Sequence, residues 1–234
     1  MVLFLLLILL VITLSIPSVQ TKIAQKVTQD LNETYGTDIQ IGRLGLNWKG
    51  EVDIREVLIR DHREDTLIYS QYLQTNILSV QKLIQGNLDF GFIDLENAKL
   101  YVTTYKNEDD DNLSIFSQKF NTGDTTQVKP FELLSNDLTL QNTRVKITDE
   151  NLETPTVLDV QNIQLDAEDF KVYDSDVAVN INSLAFLEAS GIEVEDLVAN
   201  FAYTPTQMVL GDLKLKTANS LLQGDVSLEY ENGM

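Results

Sequence analysis

The sequence predicts a mainly β protein: an N-terminal transmembrane helix and an amphipathic helix, followed by an elongated, curled antiparallel β-sheet that is groove-like and has an open C-terminal edge. Three observations predict it. Residues 2–16 read VLFLLLILLVITLSI, without a charge. Residues 18–36 carry apolar side chains four apart. Nearly everything from residue 37 onward alternates apolar with polar residues, the period of a strand with one buried face.

A charge-free run such as 2–16 is either a membrane-spanning helix or the apolar part of a secretory signal, because a helix satisfies its own backbone polar groups in lipid. No A-x-A cleavage pattern follows it; the best candidate is Thr13-Leu14-Ser15, with Pro17 just beyond. This favours an uncleaved anchor over residues 1–17, carried by Val2, Phe4, Leu7, Leu10, Ile12 and Ile16. No Lys or Arg precedes Lys22, so the positive-inside rule has nothing to act on, and the natural start is expected upstream of Met1.

Composition narrows the function classes. A net charge of −19 argues against a nucleic-acid partner, since that affinity comes from Lys and Arg neutralising phosphate. The same charge is repelled by an anionic membrane surface, so lipid contact beyond the anchor is expected to use apolar surface. Cysteine is absent, which removes disulfides, thiolate metal sites and Cys nucleophiles and is compatible with an oxidising periplasm. No G-x-S-x-G, H-E-x-x-H or phosphate loop is present, and the one His, His62, lies in the polar turn 61–65. The expectation is a protein that is not an enzyme, with no cofactor and no metal.

In 18–36 the residues Val19, Ile23, Val27, Leu31 and Tyr35 recur four apart, with Ala24 beside them. This predicts a single-faced helix with Ser18 as N-cap and Gly36 closing it. Its apolar row is expected to be buried on the first strands. A helix lying along the membrane surface is the other reading, and both can hold because the helix starts where the anchor ends.

A first β section, 37–104, follows. Leu44, Leu46, Trp48, Val52 and Ile54 keep the period of two; the phase then slips at Arg55-Glu56, as a β-bulge does, before Val57 and Ile59 continue. After the turn at 61–65 a strand returns over 66–73, and 79–85 predicts a short helical turn ended by Gly86. Leu88, Phe90 and Phe92 alternate, and beyond another slip come Leu95, Leu100 and Val102. Residues 105–130 form a polar loop with a short helix near 113–120; Asp109, Asp110 and Asp111 lack the spacing and central Gly of a calcium loop.

The second β section, 131–234, carries short apolar alternations such as Leu138 with Leu140, Val145 with Ile147, Ile163 with Leu165, and Val226 with Leu228 and Tyr230. Breakers including Asn142, Asn162, Gly211 and Gly224 are expected between strands or at their ends. No βαβ alternation is present, which excludes a doubly wound fold. The chain stops at 231–234 directly after a strand, which suggests an edge that continues beyond it.

One internal echo stands out: Ile93-Asp94-Leu95-Glu96-Asn97-Ala98-Lys99-Leu100-Tyr101-Val102-Thr103 aligns with Leu138-Thr139-Leu140-Gln141-Asn142-Thr143-Arg144-Val145-Lys146-Ile147-Thr148. Leu95, Asn97 and Thr103 are identical to their counterparts, and Lys99 matches Arg144. The echo fits a sheet that grows by adding similar strand pairs.

Several motifs carry a resemblance: Ile16-Pro17-Ser18-Val19-Gln20 after the apolar run, Tyr35-Gly36, Ile39-Gln40-Ile41-Gly42, Ile59-Arg60-Asp61 with Asp65-Thr66-Leu67-Ile68-Tyr69, and Leu95-Glu96-Asn97-Ala98-Lys99-Leu100. Over roughly residues 1–120 the chain resembles the N-terminal part of the TamB family of translocation and assembly module subunits, within the AsmA-like proteins. The family's C-terminal domain has no counterpart in this sequence. The resemblance implies a single-pass inner-membrane protein with its bulk in the periplasm, built as a long curled sheet with a hydrophobic groove. It further implies transport of phospholipid toward the outer membrane and work with an outer-membrane barrel partner of the TamA or BamA type, through that C-terminal region, in protein assembly and secretion.

On this reading Ile54, Leu88, Phe90, Phe92, Leu100, Val102, Val145, Ile147, Val177, Val179 and Ile181 face the groove and meet phospholipid acyl chains. The competing reading is a membrane-anchored structural or adhesive β-domain whose apolar rows close on a second sheet.

Overall fold

The computed structural model describes residues 16–47, 50–78, 87–119, 132–173 and 176–229. Residues 1–15 of the expected anchor, residues 48–49 with Trp48, the expected turn at 79–86, residues 120–131 of the expected loop, 174–175 and 230–234 lie outside the described residues. Among the described residues no helix is long and apolar enough to cross a membrane.

The protein is mainly β. Helix α1 (Pro17–Tyr35) is followed by β1 (Asp38–Leu46), β2 (Glu51–Arg60), β3 (Thr66–Ile77), β4 (Asn87–Glu96) and β5 (Lys99–Thr104). After helix α2 (Asn112–Gln118) come β6 (Glu132–Asp149), β7 (Thr156–Tyr173), β8 (Asp176–Glu188), β9 (Glu193–Thr204), β10 (Gln207–Thr217) and β11 (Leu221–Glu229). All eleven strands belong to one long, curled sheet in the order β1-β2-β3-β4-β6-β7-β8-β9-β10-β11, with β5 beside β3 and β6.

The pairing corrects the expectation of a wholly antiparallel sheet. β4 and β5 both run parallel to β6, and the return between them is made by a crossover that contains α2. A parallel neighbour cannot be reached by a hairpin, so a connection of this kind is required. The echo in the sequence is the parallel pair itself: Leu95 stands beside Leu140, Lys99 beside Arg144 and Thr103 beside Thr148.

The long strands stay continuous by bulging. Glu56, Asn97, Asn142, Asn162, Asp169 and Asp212 all have left-handed backbones, with φ between 50° and 59°. Asn142, Asn162, Asp169 and Asp212 sit where the register shifts and Asn97 where β4 passes into β5, whereas Glu56, at the slip of phase expected at Arg55-Glu56, kinks β2 while its pairing with β1 and β3 keeps register. Asn142, Asn162, Gly211 and Gly224 therefore lie inside β6, β7, β10 and β11 rather than between strands. Asn tolerates the left-handed region, which within a strand makes a bulge and a bend instead of a stop. At the Glu56 kink β1 passes so close that a Cβ on Gly42 would stand 3.1 Å from the carbonyl oxygen of Arg55.

Helix α1 covers the free edge of β1, but with a different face from the one expected. Gln20, Ala24 and Thr28 are buried, whereas Ile23 and Val27 are 46% and 51% exposed. An edge strand needs hydrogen-bond partners more than apolar cover, and α1 supplies them. Gln20 accepts from Leu46 N at 2.8 Å and donates to Leu46 O at 2.7 Å. Asn32 does the same for Ile39, at 2.9 Å in both directions. Thr21 Oγ1 accepts from Leu44 N at 3.2 Å. The helix starts one residue before the expected cap: Ile16 is the N-cap and Pro17, which has no N–H to leave unpaired, fills the first turn. Gly36 closes it at φ 63°, donating to Asn32 O at 2.9 Å.

Candidate functional site

Residues directly opposite one another in paired strands share a face, so the register traces which side chains stand together. Leu44 pairs with Ile54, Ile54 with Leu73, Leu73 with Leu95, Leu95 with Leu140, Leu140 with Leu165 and Leu165 with Leu184. One unbroken row of Leu and Ile thus crosses seven neighbouring strands. All seven are half-buried.

Parallel rows flank it on the same face. Two residues along each strand lie Leu46, Val52, Thr75, Ile93, Leu138, Ala167, Ile181 and Ala199, each opposite the next. Nearer one end of the strands are Leu88, Leu133, Val172, Val177, Tyr203, Met208 and Leu228. Beyond the bulges lie Ile39, Ile59, Ile68, Leu100, Val145 and Val160, and charge first enters this row where Val160 meets Glu188. In a chain carrying 36 acidic residues, no Asp, Glu, Lys or Arg stands in the rows before that point.

The polar residues of this face are turned back onto the backbone. Ser70 Oγ donates to Tyr72 O at 2.8 Å, Ser135 Oγ to Asp137 O at 2.6 Å and Thr75 Oγ1 to Phe92 O at 2.5 Å. The face is not uniform along the sheet. At β8 to β10 curling brings Ile181, Val194, Leu197, Ala199 and Leu213 together into a buried cluster, against which Leu165, Leu184 and Phe201 pack. Among the described residues no such cluster forms on the face from β1 to β7, where Val52, Leu138 and Ala167 are the buried apolar members of the flanking row, and every described strand belongs to the one sheet, so none forms a second layer over it.

Ten of the eleven residues expected in the groove share this face by register, Ile54, Leu88, Phe90, Leu100, Val102, Val145, Ile147, Val177, Val179 and Ile181 among them. Phe92 does not. Gly91 and Phe92 form a bulge opposite Asn76, whose Oδ1 accepts from both of their N–H groups at 2.8 and 3.1 Å. The slip therefore comes before Phe92 rather than after it, and Phe92 shares the outer face with Asp137 and Glu168. Comparison of the chain with protein-family models and with curated protein sequences finds no match.

The outer face and the turns carry the charge. Arg144 grips Asp159 with two hydrogen bonds, at 2.8 and 2.6 Å, and holds that carboxyl below the usual carboxylate range. At the β2–β3 turn Asp61 is buried, which by itself raises its pKa, but four hydrogen bonds outweigh that and lower it: from Asn112 Nδ2 and the Tyr105 hydroxyl, each at 2.7 Å, and from the N–H groups of Arg63 and Asp65. Burial and the carboxylates of Asp61 and Asp65, both of which accept from it, push the Tyr105 hydroxyl upward. His62 and Arg63 both bond Glu108. This cluster ties the hairpin to the crossover loop, and Asp111 caps α2 by accepting from Ser114 N at 2.8 Å.

The central row of Leu44, Leu73, Leu95, Leu140, Leu165 and Leu184 was absent from the expected groove. Its signal is present in the sequence: each of Leu95, Leu140 and Leu165 stands two or three residues from a bulged Asn, where simple alternation breaks and must be carried through the slip.

Proposed function

We propose that this chain is a non-enzymatic, membrane-anchored β-groove protein of the TamB or AsmA-like type, whose apolar sheet face carries phospholipid acyl chains across the periplasm. The observation that supports this most is the set of apolar rows that crosses the sheet with no charge until Val160 meets Glu188, over which no second described sheet is laid. An acyl chain lying there gains about 0.8 kcal/mol for each CH₂ it buries, while the acidic outer face stays hydrated. In this reading residues 1–17 hold the protein in the inner membrane, and the parts of the family's function that need an outer-membrane barrel partner belong to its C-terminal region.

The test is a photo-crosslinker introduced singly at four positions of the full chain. Replacements of Phe90 and Val179, on the apolar face, are expected to capture co-purifying phospholipid seen by mass spectrometry. Replacements of Asp89 and Asn180, on the opposite face, are not. Equal labelling from both faces, or no lipid from either, would favour a structural β-domain instead.

A further inference from the structure

The row Ile16, Val19, Ile23 and Val27 runs along one side of α1 and is left over by the packing of the sheet. The neighbouring residues Gln20, Ala24 and Thr28, each one position further and so rotated by about 100°, are the ones turned to β1. Ile16, Ile23 and Val27 are between 43% and 51% exposed. Isolated apolar residues at a surface are ordinary, but two further observations set this row apart.

The first is charge. Although the chain carries a net −19, no acidic residue precedes Asp30, and the two cations of this stretch, Lys22 and Lys26, stand three residues beyond Val19 and Ile23 and so border the row. Acidic residues begin in the second half of the helix, where Lys26 pairs with Asp30 at 2.6 Å. The second is continuity. The uncharged run 2–16 ends at the residue that caps α1, so the first turn of the helix begins where that run leaves off.

We propose that the first half of α1 lies on the bilayer surface, with Ile16, Ile23 and Val27 at the boundary of headgroups and acyl chains and Lys22 and Lys26 at the lipid phosphates. This rests on the anchored reading of residues 2–16. It gives α1 two partners at once: one side supplies hydrogen bonds to the edge of the sheet, and the adjacent side seats that edge on the membrane. A lysine stem lies along apolar surface while its ammonium reaches phosphate, which suits residues bordering such a row. The first strand of the apolar face is thereby held next to the lipid it would draw from.

The absence of cysteine makes the test direct. Single replacements Ile8→Cys, Ile23→Cys, Gln25→Cys and Val27→Cys carry a nitroxide in the full chain, reconstituted in vesicles of phosphatidylethanolamine and phosphatidylglycerol. Collisions with oxygen, which concentrates in lipid, are compared with collisions with a nickel chelate, which stays in water. The oxygen-to-nickel ratio at positions 23 and 27 is expected to exceed that at 25 by about fivefold or more, in the direction of position 8. Positions 23 and 27 reading like 25, with position 8 in lipid, would overturn the proposal and leave the anchor standing. Shielding of 23 and 27 from both agents would also overturn it, since it would place another protein surface there. A water-exposed label at position 8 would overturn the anchored reading itself, and this inference with it.

Discussion

Asn142 donates from its side-chain amide to the side-chain oxygen of Asn97 at 2.5 Å, and both residues hold the left-handed backbone that lets their strands bulge side by side. Asn97 in turn donates to Gln71 at 2.8 Å, so the crease is tied across three strands. The bulges keep the apolar rows in phase on either side of them, and that phase is what confines charge to the other face.

Replacing Asn142 with Ala is expected to lower stability by about 1–2 kcal/mol, because Ala lacks the short polar side chain that lets Asn tolerate the left-handed region and bond Asn97. Asn142→Gly is expected to lose less, because the backbone is then unstrained although the bond to Asn97 is gone. Glu56, at φ 59°, has a residue type poorly suited to that region, so Glu56→Asn is expected to raise the melting temperature. Thermal melts followed by circular dichroism would check all three; equal losses for Ala and Gly at position 142 would contradict the account.

The edge contacts of α1 make a second prediction. Gln20→Ala or Asn32→Ala leaves two backbone groups of β1 without partners, and each is expected to cost about 1–3 kcal/mol. Ile23→Asp and Val27→Asp are expected to leave the melting temperature in detergent nearly unchanged, because those side chains are already exposed. The opposite ranking would place the apolar row against the sheet after all.

The Asp61 cluster makes a prediction about pH. Its folded-state pKa is lowered, so the carboxylate contributes stability that is present above its unfolded value, near 4 by the usual range for Asp, and is lost as pH falls through the folded value. Asp61→Asn should abolish this share of the acid dependence, and at neutral pH it should cost about 2 kcal/mol through lost charge-assisted hydrogen bonds. Denaturant titrations of both proteins between pH 3 and pH 7, the span over which carboxylates titrate, would measure it. Parallel pH curves for the two would count against it.

The apolar face offers a graded test. Leu95→Ser and Leu140→Ser lie in the half-buried row and are expected to reduce phospholipid capture from a crosslinker at Phe90 by several-fold, with a modest loss of stability. Leu213→Ser, in the buried cluster, is expected to destabilise by about 2 kcal/mol or more while leaving capture at Phe90 unchanged in the folded fraction. If Leu213 proves to govern capture and Leu95 does not, the acyl chains lie elsewhere.

Much of this was legible from period alone. The strands showed as alternation, the left-handed kink at Glu56 as a change of phase, and the likeness of the stretches around Asn97 and Asn142 as an echo. What the period could not say was which strands are neighbours, because a parallel pair and a hairpin leave the same alternation in each strand. The buried side of α1 was hidden for a different reason. Gln20 and Thr28 read as solvent-facing by polarity, whereas an unpaired strand edge selects for side chains that donate and accept. Phe92 was misplaced because its bulge depends on Asn76, a residue fifteen positions and more before it in the chain, whose amide fixes the kink at Gly91.

The parallel seam bears on how the chain reaches its native state. Every other join in the main strand order is between consecutive strands, so a chain emerging from its N-terminus can add each strand to the one just formed, with short loops to close. β6 is the exception: it must wait until residues 105–131 have appeared and turned back before it finds β4 and β5. It can meanwhile pair with β7, which follows it directly. Assembly is then expected to proceed as two growing blocks, β1 to β5 and β6 to β11, that dock late along one seam. The rate-limiting step would lie at that docking, and the edges of β4 and β6 would be the surfaces most open to mispairing with other chains until it is complete.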